Sequence, residues 1–319
     1  GVTSNGLSNV LRAFTGAFGL NNRGREDLSV DSDPSDPTKI RFVYTCDSYR
    51  QYLAYVAKLY QEGLIDPELF ELSTAKMVAK GSQDMIFCLS YINCQAASVN
   101  ADDYVGLEVA LKGPNGDQQW NNMNKGVGLG AFAISPTCKD PATLVRWIDS
   151  FYTDDGAKMF YFGKEGEDFY YDENGLPAYN QEILDQVSAE NPYDKVISAI
   201  SPYASGTLPV LIKDEFFCGA ECRGVNLETA KNLEPYVNQI TWKFNFTTEE
   251  SEELSPLTAD LITNCHDVYR AKFIKGELDV NDDEVWNKYV EQCKTYGTER
   301  LCEIYNKYIE GIDFYPGKT

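Results

Sequence analysis

Residues 39–70 read KIRFVYTCDSYRQYLAYVAKLYQEGLIDPELF and contain the unit that decides the fold. In residues 39–45, apolar side chains occupy every second position, which is typical of a strand with one buried face. In residues 49–60 they recur every three or four positions, which predicts an amphipathic helix. Gly63 ends this helix, and Asp66-Pro67 supplies a cap and a first-turn proline for another helix. A strand that leads into a helix indicates an α/β fold.

The alternation of strands and helices continues along the chain. Short apolar or alternating runs predict strands at residues 85–92, 105–111, 126–135 and 242–246. Capped apolar stripes predict a helix from Pro141 and a short helix over residues 154–163. The fold class is therefore α/β, and the length of 319 residues corresponds to roughly two domains.

The clearest helix signals stand in the last part of the chain. Thr247 and Glu250 have the spacing of a capping box, and Gly276 ends the helical pattern. Asn281 and Thr298 are predicted to cap the two helices that follow. Between the capping box and the glycine, one apolar stripe consists of Leu257, Leu261, Ile262, Cys265, Val268 and Tyr269.

Composition excludes several classes of function. The chain has 28 basic and 49 acidic residues, a net charge of −21, so it would be repelled by the phosphates of nucleic acid and by an anionic membrane surface. No stretch approaches the roughly 20 apolar residues of a membrane span. The aromatic fraction of 13% is high, and aromatic faces are what a sugar-binding site requires.

Catalytic and metal chemistry find little support in the sequence. The single histidine, His266, lies beside the apolar stripe, so we expect it at the surface or at its boundary. The nine cysteines are scattered and odd in number, which is not the pattern of a disulfide framework. Cys218 and Cys222 do not have a recognised zinc spacing. We expect no metal, no cofactor and no catalytic thiolate.

Two short motifs match binding signatures by letter only. Residues 126–131 fit G-x-G-x-x-A, but an extended apolar pattern follows them where a dinucleotide site needs a helix. Asp279, Asn281 and Asp283 open like a calcium loop, but Glu284 and Val290 replace its glycine and its final glutamate. We reject both interpretations.

Five stretches together resemble family 1 extracellular solute-binding proteins. They also look like the long lipoprotein members that Gram-positive bacteria use with oligosaccharide importers. The stretches are residues 52–70, 110–118, 130–149, 152–171 and 256–311. This resemblance implies a two-lobed, periplasmic-binding-protein-like fold of type II, with a ligand cleft between the lobes. It assigns residues 1–130 and 245–319 to the second lobe and residues 131–244 to the first.

The resemblance also implies the biology. It predicts a non-enzymatic component of an ABC importer that binds a carbohydrate, in particular an oligosaccharide, and then contacts the permease subunits. Such proteins are monomers at the cell surface and carry a lipid anchor. Family members of this kind are longer, and their additional residues would precede Gly1. The resemblance therefore implies a C-terminal fragment whose first lobe is incomplete.

Candidate ligand contacts are aromatic or charged residues at the ends of predicted strands and helices. Sugars pack on aromatic faces, while carboxylates, amides and cations bind their hydroxyls. The segment 161–171 (YFGKEGEDFYY) is the strongest candidate, because it places charges between aromatic residues and has the flexible Gly166. The predicted site residues are Tyr91, Asn93, Trp120, Tyr161, Lys164, Glu165, Glu167 and Tyr170.

Two other functions remain open at this point. A carbohydrate-active hydrolase could use two of the many carboxylates, although pairing alone is uninformative in so acidic a chain. A surface adhesion or scaffold module would need no small ligand. The ligand of a receptor could also be a peptide or a polyol.

Overall fold

The computed structural model describes residues 2–3, 13–21, 29–33, 36–90, 103–122, 132–173, 175–188, 191, 193–201, 211, 224–239 and 244–310. Its strands are β1 Val2–Thr3, β2 Val30–Asp33, β3 Asp36–Phe42, β4 Cys88–Leu89, β5 Trp120–Asn122, β6 Phe169–Tyr171, β7 Pro177–Tyr179 and β8 Val237–Gln239. Its α-helices are α1 Asp47–Gln61, α2 Thr74–Gly81, α3 Pro141–Asp149, α4 Asp154–Phe162, α5 Gln181–Leu184, α6 Tyr193–Ser198, α7 Gly224–Leu233, α8 Thr248–Ala259, α9 Asp267–Lys275, α10 Asp283–Thr295 and α11 Thr298–Asn306.

The strands of the described residues pair two by two. β1 and β4 are parallel, as are β5 and β8, and both of these pairs join strands far apart in the sequence. β2–β3 and β6–β7 are antiparallel pairs of neighbouring strands. Parallel pairs across long connections and local hairpins together make a mixed α/β arrangement.

The larger of two main apolar cores joins the two ends of the chain. Helix α1 buries Tyr49, Tyr52, Leu53 and Val56 against residues of the C-terminal helices. Those helices contribute Leu261, Cys265, Phe273, Trp286, Tyr289, Cys293, Leu301 and Ile304. The contacts are long-range in sequence, so this core forms only when residues 14–69 and 244–309 pack together.

The second core lies within residues 151–211. Helix α4 supplies Ala157, Phe160, Tyr161 and Phe162, the β6–β7 hairpin supplies Phe169 and Tyr179, and α5 and α6 supply Ile183, Val196 and Ile197. Helix α3 stands apart from this pattern, since none of its side chains is buried. Its Trp147 is 55% exposed.

The N-terminal sequence predictions hold in part. The strand predicted at residues 39–45 is β3, which ends at Phe42 before a 3₁₀ turn at Val43–Thr45. The predicted helix is α1, and Gly63 follows it in a left-handed conformation, φ +72°. The helix predicted from Asp66-Pro67 is wrong, because these residues form turns and α2 begins after the cap Ser73 instead.

Two apolar runs are not the buried strands that their composition predicts. Among the described residues 85–90 of the first run, only Cys88–Leu89 is a strand, and Phe87 is 87% exposed. Residues 105–111 form no strand, and Val105 is 91% exposed. Hydrophobicity alone predicted burial here, but Phe87 and Val105 are largely exposed. Most of the strand predicted at 126–135 and part of the one at 242–246 lie outside the described residues.

The C-terminal helices follow their predicted caps closely. Thr247 and Glu250 form both hydrogen bonds of the capping box, and Gly276 takes the left-handed conformation at φ +76°. The cap of α10 is Asp282 rather than Asn281, and Thr298 is the first helical residue of α11 after the cap Gly297. These differences are single-residue shifts at helix ends.

A π-helical segment, Asp260–His266, joins α8 to α9 and changes which face of the helix is buried. Within it, Leu261, Ile262 and Cys265 are buried as predicted. After it, Val268 is 42% exposed, and the buried positions are Arg270, Phe273 and Ile274. A π turn holds an extra residue, so the buried stripe moves forward by one position.

Candidate functional site

Helix α4 sets the position of the segment 161–171. The hydroxyl of Thr153 accepts a hydrogen bond from the Gly156 amide at 3.1 Å and caps the helix start. Phe160 and Phe162 anchor the helix end in the second core. Gly163 then leaves the helix at φ +84°, a conformation that favours glycine.

Hydrogen bonds hold the loop that follows in one shape. The Lys164 amide donates to the Asp168 carboxylate at 2.7 Å, and the Asn180 side chain donates to the Glu167 carbonyl at 2.7 Å. Gly166, at φ +82°, donates its amide to the Phe169 carbonyl at 2.8 Å. The carboxylate of Asp168 is therefore used inside the loop.

The charged side chains of this loop face solvent. Lys164 and Glu167 form an ion pair and are 68% and 65% exposed. The hydrogen bond that Lys164 donates to the Glu167 carboxylate raises the pKa of Lys164. Glu165 is exposed. The three predicted charged contacts thus lie within four residues of one another on an exposed surface.

Strand β6 adds two aromatic rings to this surface. Phe169 is buried, whereas Tyr170 is 49% and Tyr171 38% exposed. The ammonium of Lys158 lies 5.6 Å from the centre of the Tyr171 ring. The sequence analysis missed Lys158 and Tyr171, although the position of Tyr171 beside Tyr170 was a signal for it.

Tyr161 lies in a different environment from the other residues of the segment. It is only 2% exposed, in the second core, and its carbonyl accepts a hydrogen bond from the Tyr179 hydroxyl at 2.9 Å. A ring buried this deeply offers no face to a ligand. Of the two tyrosines predicted to stack on a sugar, Tyr170 is therefore the one that is accessible.

Trp120 is half-buried on β5 and flanked by amides that the sequence analysis did not select. Gln119 donates to the Asn21 side chain at 3.0 Å, and Asn121 donates to the Leu20 carbonyl at 2.5 Å. Alternation along a strand directs these amides to one face and the Trp120 ring to the other. The polar run 118–122 was the available signal for this amide cluster.

The predicted site residues do not all come together. Lys164, Glu165, Glu167 and Tyr170 are all exposed and close together in the sequence, and we call the exposed side chains of this segment the 164–171 surface. Within the described residues, no hydrogen bond or ring contact joins Trp120 to it. Tyr91 and Asn93 lie outside the described residues.

His266 is buried, and the surface position expected for it is wrong. It is 1% exposed and stacks on the Tyr44 ring, with 4.0 Å between centroids and 6° between planes. The π-helical segment turns this position toward the core, which an ideal α-helical wheel does not predict. Burial, together with the nearby Arg270 cation, holds the pKa of His266 well below its usual value.

The hydrogen bonds around His266 fix its tautomer. The Tyr289 hydroxyl donates to the Tyr44 carbonyl at 3.0 Å, so it accepts from Nδ1–H of His266 at 3.0 Å. The Nε2 atom then accepts from the Tyr49 hydroxyl at 3.3 Å. A neutral imidazole satisfies every partner, so this histidine is a structural group with no room for substrate.

None of the described helices is long and apolar enough to cross a bilayer.

Comparison with known proteins gives one related sequence and several related structures. No family model matches the chain. The fructooligosaccharide ABC transporter substrate-binding protein FusA of Streptococcus pneumoniae is 21% identical over 97% of this chain and 56% of its own length. The chain thus spans a little over half the length of this curated relative.

The structural matches cover nearly the whole chain. The alginate-binding protein AlgQ2 matches with a TM-score of 0.68 and 16% identity, over 97% of this chain and 63% of its own. FusA in complex with kestose gives 0.65 and 20% identity, over 97% and 62%. A solute-binding protein of Bifidobacterium longum infantis, described as binding HMO, gives 0.62 and 16% identity, over 97% and 64%.

These matches decide the fold. The structural neighbours are two-lobed substrate-binding proteins, and this chain follows about three fifths of each of them. The resemblance to solute-binding proteins that the sequence carries is thereby confirmed, and the chain has the mixed α/β fold of the substrate-binding proteins of carbohydrate ABC transporters.

Proposed function

We propose that this chain is a ligand-binding part of an ABC importer and that its ligand is an oligosaccharide. The observation that carries the proposal is the match in fold, over 94–97% of the chain, to FusA, AlgQ2 and the Bifidobacterium protein. FusA forms complexes with kestose and fructo-nystose, AlgQ2 binds alginate, and the Bifidobacterium protein is described as binding HMO. All of these are carbohydrates, which supports this class of ligand over peptides.

The 164–171 surface supplies the chemistry that a sugar needs. Tyr170 offers a ring face to the C–H side of a pyranose or furanose ring. The Glu165 carboxylate accepts hydrogen bonds from sugar hydroxyls, and such charge-assisted bonds are stronger than neutral ones. Glu167 and Lys164 hold each other in place beside it.

Charge makes a neutral oligosaccharide the better candidate. The chain carries a net charge of −21, and Glu165, Glu167 and Asp168 lie together on or beside this surface. A uronic-acid polymer such as alginate would bring further carboxylates to this surface, and like charges repel. We therefore expect fructooligosaccharides to bind in preference to alginate oligosaccharides.

The ligand cleft and the division into lobes belong to the same proposal. The larger core, from residues 14–69 and 244–309, supports a second lobe made of 1–130 and 245–319. The second core, within residues 151–211, supports a lobe segment of 131–244. Trp120 on β5, paired with β8, would then lie where the chain passes between the lobes.

The wider role follows from the same class of protein. We expect a monomer outside the cell, held at the surface by a lipid anchor, that delivers its sugar to the permease subunits. Catalysis is not part of this role. Neither nucleic acid nor a cofactor takes part in it.

A panel of oligosaccharides tests the proposal. The protein is titrated with kestose, nystose and an alginate oligosaccharide while its thermal unfolding is followed and the solution is analysed for sugar products. A receptor gives a saturable rise in unfolding temperature, and the sugar is recovered unchanged. Cleavage of the sugar would instead establish a hydrolase, and no response to any carbohydrate would contradict the proposal.

A further inference from the structure

Two cysteines of the C-terminal helices lie in contact in the larger core. The Sγ atoms of Cys265 and Cys293 are 3.5 Å apart, and both residues are 0% exposed. Cys265 belongs to the π-helical segment and Cys293 to α10. They are 28 positions apart in the sequence, so the contact is made by packing of two separate helical segments.

We propose that Cys265 and Cys293 are the site of a disulfide bond that links the π-helical segment to α10. A disulfide has an S–S length of about 2.05 Å, so the sulfur atoms need to approach by roughly 1.5 Å.

The neighbours of Cys293 keep the two helices in register for this bond. Tyr289, one turn earlier on α10, packs against two rings of α9, Tyr269 at 5.1 Å and Phe273 at 5.8 Å between ring centroids. Its hydroxyl donates to the Tyr44 carbonyl. These contacts fix α10 against α9, so Cys293 faces Cys265 whether or not the bond is formed.

The other described cysteines lack such a partner. Cys46, Cys88, Cys138 and Cys302 are free thiols, and among the described residues no other pair of sulfur atoms is in hydrogen-bond contact. Among the six described cysteines, the proposal is therefore one specific bond.

The oxidant we name is a low-molecular-weight disulfide such as oxidised glutathione. One protein thiolate attacks it, forms a mixed disulfide and releases one glutathione thiolate. The second protein thiolate then attacks the protein sulfur of the mixed disulfide and releases the other glutathione thiolate. Two protein thiols lose two protons and two electrons, and one glutathione disulfide becomes two glutathione thiols.

Burial determines when this reaction occurs. Both thiols are 0% exposed, so a dissolved oxidant does not reach either of them in the closed core. The bond therefore forms during folding or local opening, before the core excludes the oxidant. Once made, it is protected from reductants by the same burial.

Peptide mapping tests the bond directly. The reduced, unfolded chain is refolded in a glutathione redox buffer, free thiols are blocked with N-ethylmaleimide in denaturant, and the digested peptides are weighed. We expect one linked peptide that contains Cys265 and Cys293, with the protein lighter by about 2 Da than its reduced form because two thiol hydrogens are lost. Recovery of both residues as N-ethylmaleimide adducts would overturn the proposal.

Stability provides the second measurement. Protein that is reduced with dithiothreitol in denaturant and refolded in its presence should have an unfolding temperature roughly 5 °C below that of the oxidised protein, because it lacks a cross-link that closes a loop of nearly 30 residues. Cys265→Ser and Cys293→Ser should each lose the linked peptide and this difference, whereas the matched variant Cys302→Ser should keep both. If either serine variant does not fold, peptide mapping of the wild-type chain decides alone.

Discussion

Tyr289 and Tyr170 are the same residue type in two regions that use it differently. Tyr289 is 1% exposed in the larger core, and its hydroxyl joins His266 to the Tyr44 carbonyl. Tyr170 is 49% exposed on β6, beside the charged loop 164–168. The ring and hydroxyl of Tyr289 are used in packing and hydrogen bonding within the core, whereas the ring and hydroxyl of Tyr170 are accessible to a ligand.

The same contrast holds for other residue types. Trp286 is 4% exposed among Phe273 and Tyr289, but Trp147 on α3 is 55% exposed. Residue type alone therefore does not identify a binding surface in this chain. An exposed position beside charged side chains, as for Tyr170, separates candidate ligand contacts from structural aromatics.

The largest expected effect compares the two tryptophans. Trp286→Ala should reduce the free energy of unfolding by about 3–5 kcal/mol, because it leaves a cavity in the larger core. Trp147→Ala should change it by about 0.5 kcal/mol or less, as is usual for exposed positions. Urea denaturation followed by circular dichroism measures both, and equal losses would show that the contrast in burial is wrong.

Tyr289→Phe should reduce the free energy of unfolding by less than Trp286→Ala does, but by a measurable amount. Removal of the hydroxyl leaves the Tyr44 carbonyl and the Nδ1–H of His266 without their partner, which costs about 1–3 kcal/mol in a buried site. Tyr170→Phe is the matched control on the exposed side and should leave stability unchanged. The free energies of unfolding come from the same urea titration.

Acid should weaken the larger core through His266. The pKa of His266 is depressed in the folded state, so below about pH 6.5 the unfolded chain binds a proton that the folded chain does not bind. Stability is therefore full above pH 6.5 and falls as the pH drops below it, by at most about 1.4 kcal/mol per pH unit.

A single variant isolates this histidine effect. Burial raises the pKa of Asp31, a contribution of opposite sign, since protonation of that carboxyl then favours the folded state. His266→Gln retains Asp31 and should remove only the loss between pH 6.5 and 5.5. The same pH slope in the variant and the wild type would disprove the role of His266.

Glu165→Ala should weaken oligosaccharide binding by about 1 kcal/mol, through the loss of a charge-assisted hydrogen bond at an exposed site. Glu173→Ala, in the turn after β6, is the control for loss of an exposed carboxylate. Affinities are measured by calorimetry with whichever oligosaccharide stabilises the wild-type protein. A change below about 0.5 kcal/mol would exclude Glu165 as a ligand contact.

Local sequence signals predicted the helices of this fold better than they predicted which apolar side chains are buried. The capping box at Thr247, the stripe of α1 and the end at Gly276 were all readable, because caps and periodicity act within a few residues. The apolar runs that contain Phe87 and Val105 were misjudged, since whether an apolar residue is covered depends on distant parts of the chain.

The candidate site was predictable in part for similar reasons. The structure places Lys164, Glu165 and Glu167 on an exposed loop, and their role as ligand contacts stays a prediction. The burial of Tyr161 could have been found, because it continues the apolar positions Ala157 and Phe160 of α4. The burial of His266 could not, since it depends on a π turn that has no sequence signature of its own.

The proposed ligand surface is tested most directly by two tyrosines of equal exposure. Tyr170 is 49% and Tyr152 48% exposed, but only Tyr170 lies on the 164–171 surface. Tyr170→Ala should weaken binding of the stabilising oligosaccharide by about threefold or more in calorimetry, the loss of one stacking face, and Tyr152→Ala should leave it unchanged. Equal affinities for the two variants and the wild-type protein would contradict the assignment of the sugar to this surface.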